Sequence, residues 1–139
     1  MKALLVAALA ASAFATAPVR ARDSESIVRA QEVAKSWLAL IDAGKYSRSW
    51  EQAAGLFKGA LTKPQWEQAA KMARSPLGDV QRRKVKSARF TRSLPWAPEG
   101  EYIVIQYESK FEQRLSAIET VTPLREKDGS WKVSGYFIK

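Results

Sequence analysis

Three segments in the last third of the chain decide the fold: Glu101–Phe111 (EYIVIQYESKF), Arg114–Leu124 (RLSAIETVTPL) and Ser130–Lys139 (SWKVSGYFIK). In each segment β-branched and aromatic residues alternate with other residues, which is typical of strands that bury one face. The Asp128-Gly129 dipeptide favours a type I′ turn, because both central positions of that turn need positive φ. We take Glu112-Gln113 as the other two-residue turn. The segments therefore predict three antiparallel strands joined by hairpins.

The two turns fix which residues face each other across the strands. They predict the opposed pairs Leu124–Val133, Thr122–Gly135, Thr120–Phe137, Glu119–Ile138, Tyr107–Ile118, Ile105–Thr120 and Gln106–Glu119. Directly opposed residues share a sheet face. The predicted core face then carries Ile103, Ile105, Tyr107, Phe111, Ile118, Thr120, Thr122, Leu124, Val133 and Phe137. The predicted outer face carries Tyr102, Val104, Gln106, Glu108, Glu119, Val121, Lys132, Ser134, Tyr136 and Ile138.

Helices precede this sheet. An Asp23 or Ser24 cap and a Gly44 stop bound the first helix, and its apolar stripe consists of Ile27, Ala30, Ala34, Trp37, Leu38 and Ile41. Thr62 and Gln65 form a capping box at the start of a later helix. With a further strand from Gln81 to Leu94, we expect helices over residues 24–79 and a four-stranded sheet over 81–139. The fold class is α+β, with the helices on one face of a curved antiparallel sheet.

The first residues have the pattern of an export signal. Lys2 supplies a positive start, Ala3–Phe14 an apolar run too short to span a bilayer, and Ala13-Phe14-Ala15 a cleavage pattern of small residues. We expect cleavage after Ala15, with Ala21 as the alternative, which leaves residues 16–139 as one periplasmic or secreted domain. No later apolar run predicts a membrane span.

The composition restricts the chemistry. The chain has no Cys and no His, which excludes Ser-His and Cys-His nucleophile systems and ordinary zinc or copper sites. We therefore expect no catalytic residues, no metal and no cofactor. Any acid–base chemistry would fall to Asp, Glu, Tyr or Lys with displaced pKa values.

The net charge of +9 comes largely from one basic segment. Its candidate anion-binding residues are Arg82, Arg83, Lys84, Lys86, Arg89 and Arg92. Such a patch suits an anionic component of the cell envelope, although cations on an exposed strand also prevent edge-to-edge aggregation. Nucleic acid is disfavoured, because Phe90 alone offers a base-stacking ring there.

The loop after this strand holds Trp96 between Pro95 and Pro98. We expect the Trp96 ring to pack over the end of the sheet, with an exposed contact residue as the alternative.

Two further sets of candidates come from the predicted outer face. Tyr102, Val104, Val121, Tyr136 and Ile138 make that face partly apolar, which suggests a homodimer interface. Gln106, Glu119 and Tyr136 form the candidate polar cluster that a lyase or isomerase would need. The enzyme interpretation becomes stronger if Glu119 points into the fold and is shielded from water. A cross-strand hydrogen bond between Glu119 and Gln106 is the simpler interpretation.

Several stretches are similar to a known bacterial family. They are Trp37–Tyr46 (WLALIDAGKY), Trp50, Trp66, Pro76–Gly78, Leu94-Pro95, Pro98–Tyr102, Glu119-Thr120 and Gly129–Ile138 (GSWKVSGYFI). Together they resemble the proteins catalogued as domain of unknown function 4019. The order of helices and strands resembles the nuclear transport factor 2-like (cystatin-like) cone. The resemblance implies secreted or periplasmic proteins, a dimer or a small apolar ligand in the cone, and no catalytic residues.

We accordingly predict an exported, non-enzymatic binding or scaffold domain. The alternatives are a small-molecule lyase or isomerase with a cone-shaped pocket, and a polyanion-binding protein that uses the strand at residues 82–92. One further prediction concerns Gly135, which should lie on the core face beneath the first helix, so that Gly135→Val would overpack the core.

Overall fold

The computed structural model describes residues 19–139, with side chains from Arg22 onward. Its helices are α1 (Val19–Asp42), α2 (Tyr46–Glu51), α3 (Gly55–Ala60) and α4 (Lys63–Arg74), followed by a 3₁₀ turn at Ser75–Leu77. The strands are β1 (Val80–Thr91), β2 (Tyr102–Phe111), β3 (Arg114–Arg125) and β4 (Trp131–Ile138). They form one antiparallel sheet in the order β1-β2-β3-β4. The predicted α+β class, with helices followed by a four-stranded antiparallel sheet, is confirmed.

The predicted export signal at residues 1–15 and its cleavage after Ala15 lie outside the described residues. None of the helices in the described part of the chain is both long and apolar enough to cross a bilayer.

Helix α1 lies along the sheet through its apolar stripe. Ala30, Ala34, Trp37, Leu38 and Ile41 are buried in one cluster with residues of β2, β3 and β4, as predicted. The helix begins at Val19, so the predicted start at Asp23 or Ser24 is wrong.

The predicted stop of α1 at Gly44 is correct. Gly44 has φ +71°, the Gly44 N–H donates to Ile41 O, and the Lys45 N–H donates to Leu40 O. These bonds satisfy the last carbonyls of the helix.

The short helices cover the rest of the core face. The Thr62–Gln65 capping box is present at the start of α4. The Ala54 N–H donates to Val133 O at 2.8 Å, which attaches the start of α3 to β4. Trp66 of α4 packs against Trp37 of α1, with ring centroids 5.8 Å apart.

The predicted register between β2 and β3 is wrong by one residue. Phe111 faces Arg114, as the Glu112-Gln113 turn requires, but Ser109 faces Ala117. An extra residue on β3 therefore shifts every later pair, so that Tyr107 faces Glu119 instead of Ile118. Because side chains alternate between faces, a one-residue shift turns Glu119 into the core.

A second bulge lies between β3 and β4. Thr122 faces Gly135, as predicted, but Pro123 faces Val133 in place of the predicted Leu124. A proline has no N–H for the ladder, so inside a central strand it is found at bulges. Beyond this bulge, Tyr136 points toward the helices, where its ring lies 5.4 Å from that of Trp37. Phe137, which we placed in the core, is 58% exposed.

The two bulges overturn the predictions that depended on the old registers. Val121 is fully buried and Tyr136 packs against the core cluster, so neither belongs to an outer dimer face. Tyr102 points outward, but it is covered by the loop that precedes β2 and is also buried. Of the five predicted interface residues, Val104, Tyr136 and Ile138 are partly accessible, and Tyr136 among them is turned toward the helices.

The prediction for Gly135 and the preferred placement of Trp96 over the sheet are also wrong, whereas the exposed alternative for Trp96 is correct. A Cβ atom at Gly135 would meet nothing within 4 Å, so α1 does not approach there. Trp96 is fully exposed and has φ +64°. The loop continues past Trp96 and places Pro98–Gly100 over Tyr102 and Leu124, so other residues cover this end of the sheet.

Candidate functional site

Six polar side chains meet between the helices and the sheet. We call them the central polar cluster: Asp42, Arg74, Arg83, Ser109, Glu119 and Tyr136. Asp42 and Arg74 come from the last turns of α1 and α4. The others come from β1, β2, β3 and β4 in turn. Each of the six long elements therefore contributes one residue.

Glu119 is the centre of this cluster and is 0% exposed. Its Oε1 accepts from Arg83 Nε at 2.7 Å and from Ser109 Oγ at 2.5 Å. Its Oε2 accepts from Arg83 Nη2 at 3.1 Å and from the Tyr136 hydroxyl. A carboxylate offers about four acceptor positions, so the hydrogen bonds within the protein saturate Glu119.

Arg83 lies between two carboxylates. Besides Glu119, its guanidinium binds Asp42 through Nη1 to Oδ2 at 2.7 Å and Nη2 to Oδ1 at 2.9 Å. Arg74 Nη1 donates to Asp42 Oδ1 at 3.0 Å, and the Arg74 guanidinium lies 4.8 Å from the Phe111 ring centroid. Two cations and two anions balance, which makes burial of these charges tolerable.

The pKa directions follow from burial and pairing. Burial alone would raise the pKa of Asp42, but the hydrogen bonds and charges of Arg83 and Arg74 outweigh it and hold that pKa below its ordinary value. Burial would lower the pKa of Arg83, but its two carboxylate partners raise it. Burial and the adjacent Glu119 charge both raise the pKa of Tyr136. Asp42 and Arg83 thus stay ionised and Tyr136 stays neutral near neutral pH.

A cleft of about 410 Å³ lies beside the cluster, between α1 and the strands β1 and β2. Its lining residues are Val28, Gln31, Glu32, Lys35, Leu38, Arg83, Val85 and Tyr107. Val28 and Val85 are 54% and 45% exposed, which leaves two apolar side chains open at the cleft.

Tyr107 gives this cleft a polar group. The side chain is 5% exposed, and its hydroxyl makes no hydrogen bond among residues 22–139. The fully buried side-chain atoms without a partner in this part of the chain are Arg74 Nε and Thr120 Oγ1, so the Tyr107 hydroxyl is open to the cleft. Burial raises the pKa of Tyr107 to about 12, so the hydroxyl stays protonated and can donate a hydrogen bond to an acceptor in the cleft.

The family model described as protein of unknown function (DUF4019) matches residues 33–136. The chain belongs to the DUF4019 family. A comparison with curated proteins gave no match.

In this DUF4019 domain the structure brings together two of the three residues of the predicted polar cluster. Glu119 and Tyr136 are hydrogen-bonded inside the fold. Gln106 is on the opposite face, where its Oε1 accepts from Ser87 Oγ at 3.5 Å, so the predicted bond between Glu119 and Gln106 is wrong. The reason is again the one-residue shift on β3.

The predicted anion-binding strand loses one member. Arg83 points inward and its charge is used by Asp42 and Glu119. Arg82, Lys84, Lys86, Arg89 and Arg92 are exposed, as that prediction required. Side chains alternate along β1, so Arg83 points away from its neighbours Arg82 and Lys84. Counting one extra residue at the bulge between Val85 and Ser87 places Arg83 on the same face as the inward-facing Phe90.

Sequence reasoning missed Asp42, Arg74, Ser109 and Tyr107 as parts of a site. Asp42 follows the buried Ile41 directly and lies next to the apolar stripe of α1, which was an available signal. Arg74 and Ser109 become recognisable only when the strands and helices are assembled. Pro123 was the signal that the strand register could not be regular.

The chemistry open to the central polar cluster is limited. Glu119 has no free acceptor position for a substrate proton, and Arg83 separates it from the cleft that Arg83 lines. Within the described chain, acidic side chains do not gather into a group of three that could hold a metal ion. The cleft, by contrast, combines apolar walls with a few polar groups, including the Tyr107 hydroxyl, which is the usual composition of a small-molecule site.

Proposed function

We propose that this chain is an exported, non-enzymatic binding domain that holds a small apolar molecule with a hydrogen-bond-accepting oxygen. The binding site is the cleft between α1 and β1. The observation that carries the proposal is the Tyr107 hydroxyl, which is protonated, opens onto the cleft and has no partner within the described residues. A ligand oxygen that accepts from this hydroxyl gains a net hydrogen bond of about 0.5–1.5 kcal/mol.

The walls of the cleft define the rest of the ligand. Val28, Leu38 and Val85 supply apolar contact, and the volume of about 410 Å³ lies within the ordinary range for small-molecule sites. The bulge between Val85 and Ser87 re-aims the side chains of β1 beside the cleft. Lys35 at the rim suits a ligand that carries a carboxylate.

The polar groups favour ligand binding without a chemical reaction. Glu119 does point into the fold, which is the condition under which the lyase or isomerase interpretation becomes stronger. Its four hydrogen bonds, however, leave no position for proton transfer to a substrate. The predicted export signal at residues 1–15 supports a periplasmic or secreted location for the domain. A homodimer remains a prediction, but Val121 and Tyr136, two of the residues from which it was predicted, face the core.

A matched pair of probes tests the proposal. Benzophenone and diphenylmethane have nearly the same apolar body, and only benzophenone has a carbonyl oxygen. Saturation-transfer NMR should show both binding to the wild-type protein, with benzophenone about two- to tenfold tighter, because one neutral hydrogen bond contributes roughly that factor.

Two variants locate the binding. Tyr107→Phe should reduce the affinity for benzophenone to that for diphenylmethane, while Val85→Trp should fill the cleft and weaken both. Met72→Trp is the control, because Met72 is exposed on α4, away from the cleft. If neither probe binds, or if Tyr107→Phe leaves the preference for benzophenone intact, the proposal is wrong.

A further inference from the structure

The outer face of the sheet, which the helices leave uncovered, carries an unbalanced charge. Outward-facing positions of β1 and β2 hold the cations Arg82, Lys84, Arg89 and Lys110, and across these two strands they face one acid, Glu108. Lys84 is 3.6 Å from Glu108, so the excess consists of Arg82, Arg89 and Lys110.

The register makes part of this charge unfavourable for the fold. Arg82 lies directly opposite Lys110, and like charges opposed across strands destabilise a sheet. An acid at either position would give a favourable pair instead. The protein thus keeps a positive face at some cost in stability, which is typical of a surface selected for binding.

These cations border a shallow depression of about 360 Å³ near the β2–β3 turn. Arg82, Lys84 and Lys110 line it together with Leu115, which is 70% exposed. Leu115 lies in the bulged part of β3, where the extra residue shifts the register. Glu108 also lines the depression and pairs with Lys84, so Arg82 and Lys110 remain as the cations that suit a phosphate group.

At the other end of β1 the Trp96 loop adds an apolar projection. The loop is braced at its base: Ala97 N–H donates to Leu94 O, Gly100 N–H to Arg92 O, and the Tyr102 hydroxyl to Pro98 O at 2.6 Å. Because Tyr102 and Leu124 point outward, the Pro98–Gly100 segment lies over the outer face.

Trp96 itself combines exposure with backbone strain. Its side chain is fully exposed and its φ is +64°, a conformation that non-glycine residues adopt at a cost. Glycine would fit the position better. A Trp that is held rigidly in water between two prolines gains most when its ring enters a membrane interface, where tryptophan is favoured.

We propose that the outer face of the sheet binds the surface of an anionic membrane. The depression lined by Arg82, Lys84 and Lys110 takes lipid phosphate groups, Arg89 adds attraction, and Trp96 and Leu115 enter the boundary between headgroups and acyl chains. A lipid surface fits better than a folded partner, because the apolar contacts are two separate projections and not one continuous patch. The inference is independent of the small-molecule cleft, which lies on the other side of the sheet.

The test measures sedimentation of the full chain with vesicles of phosphatidylcholine and phosphatidylglycerol in equal parts, and with vesicles of phosphatidylcholine alone. Residues 1–18 are the same in every variant, so differences between variants report on the sheet face and its loop. The wild-type protein should bind the mixed vesicles more tightly, and raising the salt concentration should weaken that binding.

Two variants separate binding from folding. Lys110→Glu gives Arg82 an opposite charge across the strands, and Trp96→Gly removes the strained φ, so both variants should fold at least as well as the wild type. Each should nevertheless weaken binding to the mixed vesicles, on the order of tenfold for the charge reversal and severalfold for the loss of the ring.

Matched controls lie on the helical side of the molecule. Lys45→Glu changes the net charge equally at an exposed residue before α2, and Met72→Ser removes an exposed apolar side chain from α4. Both should bind like the wild type. The proposal is overturned if Lys45→Glu weakens binding as much as Lys110→Glu, if both vesicle types bind equally, or if heparin binds while the mixed vesicles do not.

Discussion

The central polar cluster makes a quantitative prediction about paired substitutions. Arg83→Met leaves Glu119 fully buried with two hydroxyl partners and no cation in contact. Glu119→Leu leaves Arg83 with one of its two counter-charges and removes four hydrogen bonds. Breaking a buried ion pair by removing one partner costs about 3–5 kcal/mol. We expect each single variant to lower the free energy of unfolding by that amount.

The double variant should lose much less than the sum. With both residues replaced by apolar ones, Asp42 and Arg74 still balance each other through their 3.0 Å hydrogen bond. The remaining loss is the unpaired hydroxyls of Ser109 and Tyr136, about 1–3 kcal/mol each. We therefore expect a total loss of about 4 kcal/mol, against about 8 kcal/mol for the two singles together, which is a coupling energy of about 4 kcal/mol.

Urea unfolding, followed by the fluorescence of the buried Trp37 and Trp66, measures these free energies. The exposed pair Lys84 and Glu108, 3.6 Å apart, provides the control cycle with Lys84→Met and Glu108→Leu. Its coupling energy should stay below about 1 kcal/mol. If the costs of Arg83→Met and Glu119→Leu simply add, the two charges do not depend on each other and our account of the cluster is wrong.

Three other outcomes can be checked on the same protein. Gly135→Val should leave stability unchanged or raise it by about 0.5–1 kcal/mol, since open space surrounds the position and valine favours strands; a lower thermal midpoint would mean that something does pack there. Trp96→Gly should raise stability by about 1 kcal/mol by relieving φ +64°, and a loss in urea unfolding would show that the indole makes contacts. The folded-state pKa of Asp42 lies below its unfolded value near 3.8. Its contribution to the free energy of unfolding is therefore complete above pH 3.8 and is lost as the pH falls through the folded-state pKa. Acid unfolding of Asp42→Asn should lack this part of the pH dependence.

The local features of the fold were predictable because they depend on neighbouring residues. The stop at Gly44 and the Thr62–Gln65 capping box each rest on two to five consecutive residues, and both are present. The predicted type I′ turn at Asp128-Gly129 is wrong, because only Gly129 of the two has positive φ and the Glu126–Ser130 pair closes a three-residue loop. The alternation along β2 also identified Ile103, Ile105, Tyr107 and Phe111 as buried, because they occupy every second position, but it missed the buried Tyr102 and Ser109.

The candidate site was less predictable because its position depends on bulges. An extra residue near Leu115 has no local signature, yet it decides whether Glu119 faces water or the core. Burial of Glu119 is tolerable only with Arg83, a residue 36 positions away along the chain. Pattern alone therefore assigned the carboxylate and the arginine to two different sites, when they form one ion pair.

Each of the six long elements contributes one residue to the central polar cluster, so the cluster couples the folding of these elements. A partly folded form that lacks α1 has Arg83 without Asp42, and one that lacks β1 has Glu119 without its cation. Each such intermediate would hold an uncompensated charge in an apolar interior, which disfavours its population. The elements should therefore dock in one cooperative step, and slow hydrogen exchange should extend to the ends of α1 and α4 together with the central strands.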